Sequence, residues 1–571
     1  MGAALIIEYR DVTCPPDIAT DICIIGAGVA GLAIAREFIG TSIDVCVVAG
    51  GGPQADDEYQ ALYQGTSLGS PEFDPATSRL RAYGGTCNLW GRGCIPLGTA
   101  LDDREWVPHS GWPLSYADLE PHYRKARAFC GIESHELEKG SFLTPPELAP
   151  LDFDGRKLVN RIFAASPLLF GSAYRPEFER ATNIKILMHA TATELKAFPG
   201  ADAIEEVAIA SLDGKRGAIR ARHFVLACGG IENARLMLLS DSVTPNGIGN
   251  AHDMVGRYFM DHPSGKLGTV FTDDPEAVTR PYDRNRAKGP APSHPEICLS
   301  DEAQQSHRIL NARTRAFAVE GRVPRGIRAM RDLKALRRNR VEGAALTLEE
   351  RLCVRQNGEP QYIRMPPTTS HGRARLALDM ALGIGGIAVA MGRKLFGGST
   401  VKTDRIDLVG YFEQTPNPDS RVTLGTETDA LGQRKVSVDW RLTALDLHTY
   451  RTAAPLFGNE IARTCGGRFE LEPWLRGDAN LAPQVFGTSH HMGTTRMSDD
   501  PTRGVVDRDC RVHGIDNLHV AGSSVFPTGG WAFPTFTIVA LGQRLAGELH
   551  RRIRQSPMDT ADTAPTERAV A

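Results

Sequence analysis

The chain has 571 residues, 42% of them hydrophobic and 23% charged, with a formal net charge of −3 and a pI near 6.6. That balance is ordinary for a soluble globular protein too long for one simple core, and it excludes the basic footprint of a general nucleic-acid binder. The 11 Cys contain no Cys-x-x-Cys pair, which argues against a disulfide framework or a zinc site and predicts reduced, mostly buried thiols in a cytoplasmic protein that binds no metal.

In chain order, "MGAALIIEYRDV" breaks its apolar run too early for a secretory signal, and Ile6 fails the myristoylation pattern. Residues 20–38, "TDICIIGAGVAGLAIAREF", read as strand, glycine turn and helix, and "IDVCVVA" (43–49) supplies a second strand. Gly26, Gly28 and Gly31 fit G-x-G-x-x-G in that setting. The first allows the turn, the second lets backbone approach a pyrophosphate, and the third lets helix pack on strand. The helix N-terminus favours phosphate, so the unit predicts a dinucleotide, NAD or FAD. The acid expected at the end of the second strand to hold the ribose is Ala49 here, and Asp56, Asp57 and Glu58 follow too late.

A glycine-rich loop occupies 81–97. The segment 184–195 and "EEVAIASLDGK" read as short antiparallel strands with a turn at Asp213-Gly214, and 222–238 repeats the strand–glycine–helix theme. The run 321–340 carries eight Lys/Arg against one Asp and reads as a solvated helix face. "MALGIGGIAVAMG" (380–392) is too short to span a bilayer; a buried helix is the expectation, with a membrane-surface or subunit-docking element as its alternative. "TSHHMGTTRM" and "GGWAFPTFTIVAL" (529–541) raise the question of why Trp531 and Phe533 would face a working histidine. The polar tail after 553 reads as disordered.

"GAGVAG", "YGGTCNLWG" (83–91), "VLACGGIENARLML" (225–238), "VGRYFMDHP" (255–263), "EQTPNPDSRVTL" (413–424) and the segment from "HHMGTTRM" to "PTFTIVAL" occur in one order along the chain. Together they resemble the glucose–methanol–choline (GMC) family of FAD-dependent alcohol oxidoreductases, nearest its bacterial pyranose-oxidase and sugar-dehydrogenase branch. The resemblance implies an α/β fold: a Rossmann-like FAD-binding domain over 15–265 and 480–552, interrupted by a substrate domain with an antiparallel sheet over 266–479. It implies that Gly84, Gly85, Thr86 and Asn88 lie along the flavin and Ala192, Ala227 and Gly229 toward adenosine. Gly522 and Ser523 would approach the pyrophosphate, and Pro534 and Thr535 the pyrimidine side of the ring.

His490 matches the family's catalytic histidine, and a neutral imidazole suits removal of a hydroxyl proton while hydride leaves the carbon. Its neighbour His491 would point elsewhere on a strand and is read first as structural, yet it joins Trp531, Phe533 and Gln414 as a candidate substrate contact. His262 is read either as bordering the pocket or as structural. The sequence departs from the family at Phe533, where Asn or His is usual, and at Leu89, which cannot tether flavin, so noncovalent FAD is expected. The partners implied are a sugar, glycoside, polyol or secondary-metabolite alcohol and an electron acceptor that is oxygen, a quinone or a protein. Non-alcohol or non-redox chemistry on the same scaffold, and a noncatalytic binding module with weakened FAD binding, are the alternatives.

Overall fold

Continuously apolar runs with no polar alternation belong in the middle of a parallel sheet, covered on both faces. In the structure, a computed structural model describing residues 6–12, 18–139, 141–144, 149–284, 292–341, 373–395, 400–477 and 484–555, that is where residues 22–25, the apolar half of the strand Ile18–Ile25, and the fully buried Val45–Ala49 lie. The sheet runs Ile6–Glu8, Ile184–Met188, Val45–Ala49, Ile18–Ile25, Arg216–Leu226, Ile204–Ala210, Thr191–Ala197, and Leu518–Val520 also pairs with Arg216–Leu226. Its first five strands and Leu518–Val520 are parallel, while Thr191–Ala197, Ile204–Ala210 and Arg216–Leu226 form an antiparallel meander. The turn of that meander lies at Asp213-Gly214, with Gly214 at φ +91°.

Ile184–Met188 is not the antiparallel strand that its sequence suggests. It pairs parallel with Val45–Ala49, Val45 opposite Ile184, and His189 at φ +55° ends it before Thr191–Ala197 begins. That left-handed residue separates two strands which read as one polar-alternating run.

A second, nine-stranded sheet contains Ser264–Phe271, Ser293–Leu299, Ala312–Glu320 and Thr403–Phe412, antiparallel to their neighbours. Gly93–Cys94, Leu137–Glu138, Ser141–Phe142 and Leu158–Ala165 join this sheet although they precede residue 266. The helix Ala444–Thr464, started by a Thr443/Asp446 capping box, buries Tyr450, Phe457 and Ile461 in this sheet's own core.

The apolar run 380–392 corrects the expectation of a buried helix. It falls on two helices, Arg373–Leu382 and Ile384–Leu395, bent by 68°, and Ile384 is 70% and Leu395 84% exposed. The pair packs on Arg325–Val341 through a small cluster of Ile327, Ala390 and Val401, so most of its apolar side chains have nothing to cover them among the described residues. No single helix among the described residues is long and apolar enough to cross a membrane. The last helix, Thr535–Gln555, continues past residue 553, and the remaining expected tail lies outside the described residues.

Candidate active site

One cavity of about 340 Å³ runs from the first sheet's glycine turn to the strands of the second sheet. Gly26 opens the turn at φ +115°, and a Cβ there would lie 2.4 Å from the Ala227 carbonyl oxygen. Gly28 precedes the helix Val29–Arg36, and a Cβ on Gly85 would lie 3.0 Å from its Cα. Two glycine loops therefore cross with bare backbone facing the cavity at a helix N-terminus, a cradle that fits an extended diphosphate.

Gly26, Gly28, Ala49, Gly85, Thr86 and Ala192 line this cavity, as do Ala227, Gly229, Gly522, Ser523, Pro534 and Thr535. Gly31 lies behind it, where a Cβ would fall 2.0 Å from the Gly26 carbonyl oxygen and hold helix off strand. Gly84 bridges Gly28 without lining the cavity. Asn88 is a correction: it turns its Nδ2 to the Tyr83 carbonyl at 2.9 Å and braces the loop instead of lining the cavity.

Beside Ala49, where an acid was expected, Arg81 donates through Nε to the Gly50 carbonyl at 3.1 Å and through Nη2 to Thr191 Oγ1 at 3.0 Å. Glu232 also lines this end, 2.7 Å from Arg79. Burial pushes its carboxyl up, but Arg235, Arg79 and Arg81 outweigh that and hold it below the usual range.

His490 lines the cavity, and buried Asp261 holds the loop that carries it. Asp261 Oδ1 accepts from the backbone N–H of His262 and His490 at 2.6 and 2.9 Å, and Oδ2 accepts from those of Thr488 and Ser489 at 3.1 and 3.0 Å. Thr488 Oγ1 donates to Asp261 Oδ1 at 3.0 Å, so its oxygen is left to accept from His490 Nδ1 at 2.9 Å. His262 Nδ1 lies 3.1 Å from the same His490 nitrogen. The proton of His490 thus sits on Nδ1 and the lone pair on Nε2. Burial above all, then His262, Arg313 and His491, hold the imidazole well below its usual range, so it is neutral.

Phe533 lines the cavity with its ring centroid 5.4 Å from that of His490 and 5.3 Å from Phe163. Trp531 is a correction: it packs behind, 5.5 Å from Phe163, and does not reach the cavity wall. Gln414 is another. Its Oε1 accepts from the Asp261 N–H and Trp440 Nε1 at 3.0 and 2.8 Å, and the side chain is buried away from the cavity. His491 does line the cavity, packed against both rings of the stacked Phe73–Phe259 pair, and its carbonyl accepts from Ser523 Oγ at 2.6 Å.

Sequence reasoning passed over Arg313, Arg284 and Tyr411, which also form the wall near Phe533. Arg313 stands over the Tyr411 and Phe533 rings at 4.1 and 4.8 Å. The available signal was a lone Glu296 in the otherwise uncharged run "HPEICL" and Arg313 and Arg315 two positions apart in "ARTRAFAV", which puts both arginines on one face of their strand.

A family model described as GMC oxidoreductase matches residues 416–542, which contain His490 and Phe533. The 6'''-hydroxyparomomycin C oxidase of Streptomyces lividus is 25% identical over 92% of this chain and 90% of its own length. The fructose dehydrogenase large subunit of Gluconobacter japonicus is 22% identical over 94% of this chain and 99% of its own length. The solved structure of formate oxidase superposes with a TM-score of 0.55 at 16% identity, over 94% of this chain and 99% of that one, and shares the fold.

Proposed function

We propose that this GMC oxidoreductase, an FAD-dependent enzyme acting on alcohol groups, oxidises a hydroxyl of a sugar, glycoside or polyol to the aldehyde or ketone with His490 as base. The observation that carries the reading is a neutral imidazole on the wall of the same cavity that the glycine cradle opens into, with Nδ1 engaged and Nε2 left for substrate. FAD supplies the hydride acceptor. Gly28, Gly85, Gly522 and Ser523 would hold its diphosphate and ribityl portions, Pro534 and Thr535 would face its ring, and Leu89 offers no atom for a covalent tether.

The chain's own contribution is proton placement and exclusion of water. His490 Nε2 takes the hydroxyl proton as the carbon loses hydride, and general-base assistance of this kind is worth about a hundredfold to ten-thousandfold. Asp261 and Thr488 fix the tautomer that leaves Nε2 open. Phe533 replaces a polar partner with an apolar wall, which costs up to about a hundredfold in stabilisation of developing alkoxide and favours a substrate with an apolar face. The anaerobic test is bleaching of the flavin absorbance by a panel of sugars and polyols. His490→Ala is expected to keep FAD bound and lose at least about a hundredfold in bleaching rate. Undiminished bleaching would remove His490 as base.

The exposed helix pair supports one further element, association with an anionic membrane surface. Leu382, Ile384, Val389, Met391 and Leu395 are uncovered among the described residues, with exposed Arg328, Lys334, Arg375 and Lys394 on the same three helices.

A further inference from the structure

The cavity has two kinds of charge at its two ends. The carboxylates on its wall, Glu232 and Asp429, belong to the end beside the helix Gly229–Leu239 and are ion-paired with Arg79 and Arg235. Near His490 and Phe533 the charged lining among the described residues is arginine: Arg284, Arg313 and Arg315. One buried carboxylate, Glu296, stands behind them. Its Oε1 accepts from Arg284 Nη2 at 2.8 Å and its Oε2 from Arg313 Nη1 at 3.0 Å, so a single negative charge is shared between two guanidiniums. Arg315 lies 3.9 Å from the same carboxylate and stands outside this balance. His294, 3.4 Å from Glu296, is pushed down to about 4 by burial and adds no charge.

A surplus cation buried beside a cavity is expensive unless something anionic completes it. Arg313 has 1% of its side chain exposed, and the Nε–H groups of both Arg313 and Arg284 are buried without an acceptor. Burial first, then the Arg315 charge, push the Arg284 guanidinium down to about 10 even though Glu296 pulls the other way. The rings of Tyr411 and Phe533 hold Arg313 in place, and Phe533 also carries Arg284 at 5.4 Å. Fixed guanidinium forks of this kind match an oxyanion geometrically and would not be needed to face neutral hydroxyls.

We propose that the substrate is an anionic alcohol, a hydroxy acid of the uronate or aldonate class, whose carboxylate is held by Arg313 and Arg284 while its reacting hydroxyl faces His490. This rests on the reading of the cavity as an alcohol-oxidising site and narrows it to a substrate class. The carboxylate is a handle and not a reactant: the carbinol carbon loses hydride to FAD, its hydroxyl loses a proton to His490 Nε2, and the acid group leaves unchanged. Phe533 then has a role beyond exclusion of water, because its ring packs against His490 at 5.4 Å and against Arg284 and Arg313 at 5.4 and 4.8 Å.

The test separates this inference from the one beneath it. Acetate titrated into the FAD-loaded enzyme is expected to perturb the flavin absorption saturably, and acetamide, of the same shape but neutral, is not. Arg313→Met should weaken acetate binding at least tenfold. Arg284→Gln, which leaves Glu296 its bond to Arg313, should do the same if the first variant folds poorly. No acetate response, or a response unchanged in Arg284→Gln, overturns the anion site. Inorganic sulfate run in parallel distinguishes a carboxylate handle from a phosphate or sulfate ester: tighter acetate supports the hydroxy-acid class and tighter sulfate overturns it. In the bleaching assay, glucuronate and gluconate should exceed glucose at least tenfold in kcat/KM. Equal values for the neutral sugar sink the anionic class and leave alcohol oxidation standing, whereas acetate binding with no bleaching by any alcohol sinks the oxidation and leaves the anion site.

Discussion

A carboxylate that accepts hydrogen bonds from three consecutive residues and from the hydroxyl beside them fixes a loop more tightly than packing would. Asp261 does this for Thr488, Ser489 and His490, and Ser489 is held at φ +63° in the process. The Thr488 hydroxyl proton goes to Asp261 or to the His262 carbonyl 3.2 Å away, so its oxygen accepts from His490, which is the tautomer the proposed base needs. Thr488→Val should therefore lower the bleaching rate about tenfold, the scale of a lost orienting hydrogen bond of about 1.4 kcal/mol, with FAD affinity unchanged. An unchanged rate would mean that His262 alone sets the tautomer. His490 was legible in the sequence because His-x-x-Gly is local, whereas Asp261 lies 229 positions away, and only folding makes it the anchor. The buried histidines also set a pH dependence. Burial pushes His223, His262 and His294 down to about 4 and His491 to about 3, while an unfolded histidine titrates near 6.5. Between those values the unfolded chain binds more protons, so their contribution to stability is full above about pH 6.5 and is lost progressively as pH falls toward about 4. The Tm should drop on acidification through that window, and a flat Tm would contradict neutral burial of these rings.

Glycine turns, helices and strands were read unequally, and the reason is range. The turn after Ile18–Ile25 announces itself because glycine spacing, strand and helix are contiguous; its partner loop at Gly84 and Gly85 shows composition but not the crossing, where a Cβ on Gly85 would come within 3.0 Å of the Gly28 Cα. Ile184–Met188 was misread because a break at one left-handed histidine leaves no composition signal. Arg313 was overlooked for a related reason: its strand, Ala312–Glu320, has charges that look like an exposed face until Tyr411 and Cys298 are placed opposite Arg313 by the register. The turn gives a direct prediction. In Gly26→Ala the new Cβ would meet the Ala227 carbonyl oxygen at 2.4 Å and require a positive φ that alanine resists, so the loop must move away from Arg216–Leu226. FAD retained through gel filtration is expected to fall at least tenfold while the far-ultraviolet dichroism persists. Full retention would show that the first glycine is not needed for the cradle.

At the scale of the molecule, the two sheets line different parts of one cavity: the first with bare backbone and the second with arginine and tyrosine, and the His490 loop is tied through Asp261 to residues leading into the second sheet. The helix pair Arg373–Leu382 and Ile384–Leu395 serves neither. Its sequence reads as core, yet among the described residues much of its apolar surface is uncovered, and a contiguous apolar surface of this kind marks something that covers it. Charge selects among the coverings. Asp379 is paired with Arg325 and Glu320 with Arg331, leaving exposed Arg322, Arg328, Lys334, Arg375 and Lys394 around an apolar face. That combination suits an anionic bilayer surface better than a second copy of the same basic face, which would repel it. The full enzyme mixed with phosphatidylglycerol vesicles should float with them at low salt, and about 0.5 M salt should weaken that binding by screening. It should not float with phosphatidylcholine vesicles alone. Leu382→Glu, Ile384→Glu and Leu395→Glu together should abolish flotation and leave bleaching by a soluble substrate unchanged, because none of the three lines the cavity. If the wild type stays in the soluble fraction and instead sediments as a dimer that the triple substitution dissociates, the covering is a second copy and the membrane reading falls.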